Sequence, residues 1–224
     1  MKTRRLFGSL LIVAGLGLCL AAGLHYLRGF LAQREGQTEF ETRLAQQPTA
    51  EPAPPTPAEE RENPGIVAPA ASPSPSPSVP AYPYGQPIAR IRIPSAEIDS
   101  IVFAGSDMAT LEKGPGHVPG TALPGVEGSP NNCVITGHRD SHFRHLGWLR
   151  KGHLIELETD TGEKTYRIVE REIVKPDAVS VLAPTEKPRL TLITCYPFNY
   201  IGPAPERLVL IAEPVAPAPA RHRS

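Results

Sequence analysis

The stretch Leu190-Thr191-Leu192-Ile193-Thr194-Cys195 is a β-prone, largely apolar run that ends on a thiol. Tyr196-Pro197-Phe198 follows at once, so Cys195 stands where a strand gives way to a loop. A thiol in that position is held by the sheet and still faces a groove. Position alone does not separate this from a buried small hydrophobe, which is what most free cysteines are.

Similar short runs surround it. Ile88 to Ile93 alternates and is stopped by Pro94, and Ile98 to Phe103 follows. Cys133 to His138, Leu154 to Glu158, Thr165 to Val174 and Arg207 to Ala212 complete the strand set, with Asp160-Thr161-Gly162 as a turn. A short helix is expected over Ser106 to Lys113, with Ser106 as N-cap, Met108 and Leu111 inward and Gly114 as terminator. Gly114 to Pro130 reads as a loop rich in glycine and proline. Ser141 to Leu149 reads as a helical turn burying Phe143, Leu146 and either Trp148 or Leu149. Many short strands with turn signals between them predict a mostly β domain, a closed or nearly closed barrel, over residues 84–213.

The rest of the chain is appended to this domain. Residues 1–5 are basic, with Lys2, Arg4 and Arg5, and residues 6–27 carry no Asp, Glu, Lys or Arg. An apolar stretch of that length crosses a hydrocarbon core, and the basic flank predicts a cytoplasmic N-terminus with the remainder outside. The sites for signal cleavage near Ala21-Ala22 and for lipid attachment at Cys19 are poor, so an uncleaved single-pass anchor in the cell membrane is expected. Residues 28–47 mix charged and apolar side chains and extend the anchor helix. Residues 48–83 hold twelve prolines in thirty-six positions, which predicts a disordered linker. In polyproline II form it would reach up to about 110 Å and hold the domain well off the membrane. Residues 214–224 form a loose tail.

Composition excludes some functions. The 23 basic and 23 acidic side chains cancel, which leaves no electrostatic footprint for nucleic acid. Three cysteines, at 19, 133 and 195, make no disulfide framework.

His138 ends its own strand as Cys195 does. Side chains alternate along a strand, so Val134, Thr136 and His138 share one face while Cys133 points the other way, into the core. If the two strands are parallel neighbours, imidazole and thiol meet at one rim. That pair suffices for acyl transfer: the thiolate attacks a carbonyl and the imidazolium protonates the leaving amine. At ordinary pKa values, roughly 3% of thiols and about a quarter of imidazoles are charged at pH 7, so an uncoupled ion pair is below about 1% of molecules. The site must shift these values or turn over slowly. Arg207, at the start of the last strand, is the candidate donor to a developing oxyanion, with a surface ion pair to Glu206 as the plain alternative. His117 is a loop residue that either borders the site or is solvated, and Asp140 either steadies His138 or is a solvated turn residue. His138, His142 and His145 are spaced as zinc ligands on a helix would be. The preceding strand and the missing Glu after His138 argue against such a site, so no metal and no cofactor are expected.

Thr191-Leu192-Ile193-Thr194-Cys195 resembles the TLxTC signature of sortases, the membrane-anchored cysteine transpeptidases of bacterial surfaces. Gly114-Pro115-Gly116-His117, Gly137-His138-Arg139-Asp140 and Cys195-Tyr196-Pro197-Phe198 are similar to class D sortases in particular. The likeness covers about residues 86–213 and keeps the order His, Cys, Arg. It implies an eight-stranded closed barrel with His138 as proton donor and acceptor, Cys195 as nucleophile and Arg207 as oxyanion and substrate orienter. Thr194 would support the nucleophile. It further implies cleavage after Thr in an LPxTG-like signal at the C-terminus of surface proteins, through a thioacyl intermediate passed to an amine of the envelope or of a pilin. Two other readings stand beside it. An L,D-transpeptidase would need a glycine before the cysteine, where Thr194 stands; a non-catalytic tethered barrel would leave Cys195 inert.

Overall fold

The computed structural model describes residues 2–46, 82–126 and 131–215. Eight strands close into one barrel: β1 Pro87–Ile93, β2 Ile98–Ala104, β3 Gly116–His117, β4 Asn132–Gly137, β5 Leu154–Thr159, β6 Gly162–Val174, β7 Arg189–Tyr196 and β8 Glu206–Pro214. Their order around the barrel is β1-β2-β3-β4-β7-β8-β6-β5. The β4–β7 and β2–β3 pairs are parallel and the rest are antiparallel. This is the mostly β closed barrel that the strand pattern predicts.

Alternation sorts the residues of the central strands. Cys133 and Ile135 of β4, Leu190 and Leu192 of β7, and Leu208 and Leu210 of β8 all belong to the main core cluster. Their neighbours at odd offsets therefore face outward from the barrel. The turn after β4 is held under the rim by Phe143, Leu146 and Leu149, all fully buried, while Trp148 is exposed. A Cβ on Gly137 would come within 2.8 Å of the Phe143 ring, so this aromatic packs directly on the residue before His138.

Two local expectations are corrected. The short helix α2 spans Met108–Lys113 and is capped by Asp107, whose carboxylate accepts from Thr110 N at 3.1 Å; Ser106 lies one residue too early. Met108 consequently points outward and Thr110 inward. Residues 116–117, expected as loop, form β3, which bridges β2 to β4 and is needed to close the barrel.

The N-terminal helix also packs against the barrel. Helix α1 spans Lys2–Gln46, and among the described residues it is the one helix long and apolar enough to cross a membrane. Its C-terminal part runs along the barrel. The Gln33 amide donates to Ile101 O at 3.2 Å and to Lys113 O at 2.8 Å, and accepts from Ile101 N at 2.8 Å. Phe40 is buried against Ile101 and Phe103 with Leu44 at the margin, and Arg43 donates to Pro87 O at 2.9 Å. Gly36 permits this approach, since a Cβ there would stand 2.8 Å from the Phe103 ring. The Pro-rich segment lies outside the described residues, but the chain on either side of it does not. Gln46 ends a helix already docked beside Pro87, so the C-terminal part of α1 lies against the barrel.

Candidate active site

The parallel pairing of β4 and β7 runs from Asn132↔Arg189 to Gly137↔Thr194. The next residues in each strand direction are His138 and Cys195. Across the other edge of β7, Cys195 is the register partner of Arg207. Imidazole, thiol and guanidinium thus stand abreast on three adjacent strand ends, all with outward parity. His138, Cys195 and Arg207 are each partly exposed and so open to an incoming substrate. The parallel neighbourhood expected for the two strands is present, and the positions of all three side chains follow from it.

Each member is positioned by backbone. Thr194, buried on the core side, donates from Oγ1 to Gly137 O at 2.7 Å and so ties the residue before Cys195 to the residue before His138. Thr136 Oγ1 donates to Ile193 O at 3.2 Å on the outer face. Arg207 Nη1 donates to Ala204 O at 3.1 Å and to Glu206 O at 2.8 Å. Among the described residues it makes no ion pair, so the plain alternative for this cation is not what the structure contains. Its remaining N–H groups are available to a substrate carbonyl.

The other expected residues fare differently. His117 neither borders the groove nor is solvated: it lies on β3 opposite Ile135, is 5% exposed and has core-side parity. Its Nε2 lies 2.9 Å from Ala122 O and 3.1 Å from Thr121 Oγ1, and burial pushes its pKa down. It is a structural residue of the β3–β4 connection. Asp140 is exposed and has no hydrogen-bond or ion-pair partner among the described residues, so nothing in the geometry links it to His138. The three spaced histidines do not converge. His145 stacks on Trp148 with centroids 3.9 Å apart and turns Nδ1 to Ala96 O at 3.1 Å. His142 is the one that stays near His138: burial chiefly, and the His138 charge second, hold its pKa below the usual imidazole value.

One residue escaped the sequence reading. Arg139 reaches across to the loop between β7 and β8, donating from Nη1 to Pro197 O at 3.0 Å and from Nη2 to Tyr200 O at 2.7 Å and Gly202 O at 3.1 Å. Its adjacency to His138 was the available signal, but carbonyl partners some sixty positions away leave no trace in a sequence. Phe198 of the same loop packs on Gly147, where a Cβ would lie 2.8 Å from its ring.

The closed barrel carries histidine, cysteine and arginine abreast on its outer rim, a set equipped for cysteine-dependent acyl transfer, and comparison with known proteins gives its family. The family model described as Sortase domain matches residues 91–215. Over 132 residues the chain is 39% identical to Sortase D of Bacillus subtilis (strain 168), covering 58% of this chain and 65% of that protein. It therefore spans just under two thirds of that relative's length. Among solved structures, the Clostridium perfringens Sortase D5 transpeptidase is 28% identical with a TM-score of 0.54, over 60% of this chain and 82% of that one. Clostridium perfringens sortase C, solved with the C-terminal cell wall sorting motif, is 29% identical with a TM-score of 0.54, over 59% and 72% of the two chains. The chain belongs to the sortase family.

Proposed function

We propose that this protein is a membrane-anchored cysteine transpeptidase that cleaves an LPxTG-like sorting signal after its threonine and transfers the acyl group to an amine on the cell surface. The observation that carries this reading is the row His138–Cys195–Arg207 across β4, β7 and β8. In this scheme the Cys195 thiol passes its proton to His138, and the sulfur attacks the threonine carbonyl carbon. The carbonyl oxygen becomes an oxyanion facing Arg207, whose unused N–H groups stabilise the charge as it develops. Collapse of the intermediate breaks the peptide bond, and the imidazolium of His138 protonates the departing amine, leaving a thioester on Cys195. An incoming amine then gives its proton to His138, attacks the thioester carbonyl and releases the thiol. The relative solved with a sorting motif supports a sorting signal as the substrate class.

The apolar part of α1 supports a single-pass anchor, and Lys2, Arg4 and Arg5 support a cytoplasmic N-terminus with the barrel outside. Substrate proteins and the amine acceptor would then be met at the same surface. The test uses the full chain in detergent micelles with a library of LPxTG-like peptides, with and without added amines, read by mass spectrometry. The expected products are an acyl–amine adduct at threonine when amine is present and a free threonine carboxylate when it is absent. Cleavage at unrelated bonds, or none across the library, would overturn the reading.

A further inference from the structure

We infer that Arg139 is a positioning residue that sets the β7–β8 loop, and through it Arg207, against His138. The inference rests on the transpeptidase reading of the rim for its catalytic consequence, though not for its geometry. The chain between Cys195 and Arg207 is eleven residues long, and nothing in its sequence fixes it: Asn199, Gly202, Pro203 and Pro205 favour turns without specifying one. Arg139 supplies the constraint. Its two terminal nitrogens take three carbonyls of that loop, Pro197, Tyr200 and Gly202. Two further carbonyls, Ala204 in the loop and Glu206 at the start of β8, are the acceptors that hold Arg207 Nη1. The five acceptors therefore form one run of backbone. Its early part is fixed to the residue beside His138, and its later part fixes the guanidinium opposite Cys195.

A planar guanidinium presents its donors in a fixed fork and can serve diverging carbonyls at once; a lysine ammonium on a flexible stem cannot reproduce that spread. Losing the clamp leaves Cys195 in its strand, because β7 is held by its ladder on both sides. It frees the loop and with it the Ala204 carbonyl, so the Arg207 guanidinium, whose backbone stays paired in β8, samples side-chain positions away from the oxyanion. A displacement on the order of 1 Å in a catalytic group costs up to about 100-fold in rate. The loop also carries Ile201, which is 99% exposed, so the same clamp fixes where this apolar side chain is presented to solvent.

The experiment compares full-length wild type with Arg139→Lys and Arg139→Ala in micelles. Three quantities are read: peptide-cleavage kcat and KM, the thermal midpoint, and amide hydrogen exchange over residues 198–206. Expected are a roughly 10- to 100-fold fall in kcat for Arg139→Lys with KM changed less than about threefold, faster exchange confined to 198–206, and an unchanged thermal midpoint. Partial recovery of Arg139→Ala by millimolar ethylguanidinium is also expected, since a free guanidinium fits the vacated carbonyls. Near-native kcat in Arg139→Lys, or unchanged exchange over 198–206 in Arg139→Ala, would overturn the inference, as would a loss of kcat that merely tracks the folded fraction. If the wild type cleaves no peptide, the transpeptidase reading fails while hydrogen exchange still decides the clamp.

Discussion

Cys133 and Cys195 lie on neighbouring parallel strands, yet one is walled into the barrel and the other looks outward from its rim. Cys133 pairs with Leu190 at the start of the β4–β7 ladder and is 4% exposed, and burial pushes its thiol pKa up to about 12. Cys195 stands at the far end of the same ladder with Arg207 opposite and His138 one strand over. Nothing chemical distinguishes the two residues in isolation. Strand parity and position along the ladder make one a piece of core and set the other at the rim, where the proposed transpeptidation needs its nucleophile. The two faces of a single pair of strands thus divide stability from chemistry.

The largest expected effect breaks that division directly. Cys195→Ala should lower peptide cleavage by at least about 1,000-fold, while Cys133→Ala leaves kcat within about threefold of wild type. Labelling with a thiol reagent at pH 8, with the sites resolved by peptide mass, should modify Cys195 and leave Cys133 intact. A thiol with a pKa of about 12 is only about one part in 10,000 thiolate at that pH, before access is considered. Modification of Cys133 at a rate comparable to Cys195 would show that the inner face is open to solvent, and the contrast would fail.

A smaller effect probes the one place where the inner face reaches the site. Thr194 is a core-side residue, but its hydroxyl binds the carbonyl of Gly137, immediately before His138. Removing the hydroxyl leaves a buried acceptor unpaired, at a cost of about 1–3 kcal/mol. Thr194→Val should therefore lower the thermal midpoint and reduce kcat by about tenfold, while Thr194→Ser keeps both near wild type. If Thr194→Val lost stability but kept full turnover, the two faces would be more separate than the hydrogen bond implies.

Much of this was legible in the sequence because it depends on period two. The outward parity of His138 and Cys195, the inward parity of Cys133, and the strand limits at Pro94 and Pro197 all follow from alternation and from proline's missing donor. Arg207 was placed by order along the chain, and the β7–β8 register sets it opposite Cys195. What escaped has a common cause: it is built from contacts rather than periods. A two-residue strand such as Gly116–His117 has no period to detect, and so His117 was read as loop instead of core. The docking of α1 uses two apolar residues, Phe40 and Leu44, on a face that also carries Gln33, Gly36 and Arg43. The spacing is helical, but the grip comes from side-chain bonds to backbone carbonyls, which a hydrophobic pattern does not register. Arg139 belongs to the same kind.

The smallest effect at working pH, and the sharpest on the nature of the inner face, comes from alkaline titration of Cys133. Its pKa of about 12 in the folded chain lies above the value near 8.5 of an unfolded thiol. Between those values the folded state keeps the proton and the unfolded state has lost it. Its contribution to stability is therefore fully present below about pH 8.5 and declines as pH rises towards about 12, by about 1.4 kcal/mol per pH unit. Tyr82 acts in the same sense, since burial first and Asp160 second raise its pKa; the difference between wild type and Cys133→Ala isolates the thiol. At pH 7.5 the variant should be the less stable of the two by about 1 kcal/mol, the cost of a small cavity. By about pH 10.5 the order of the thermal midpoints should reverse, because only the wild type has a buried thiol at position 133 to ionise on unfolding. A gap that stays constant over that range would mean that water already reaches Cys133 in the folded barrel, and that parity alone does not protect it.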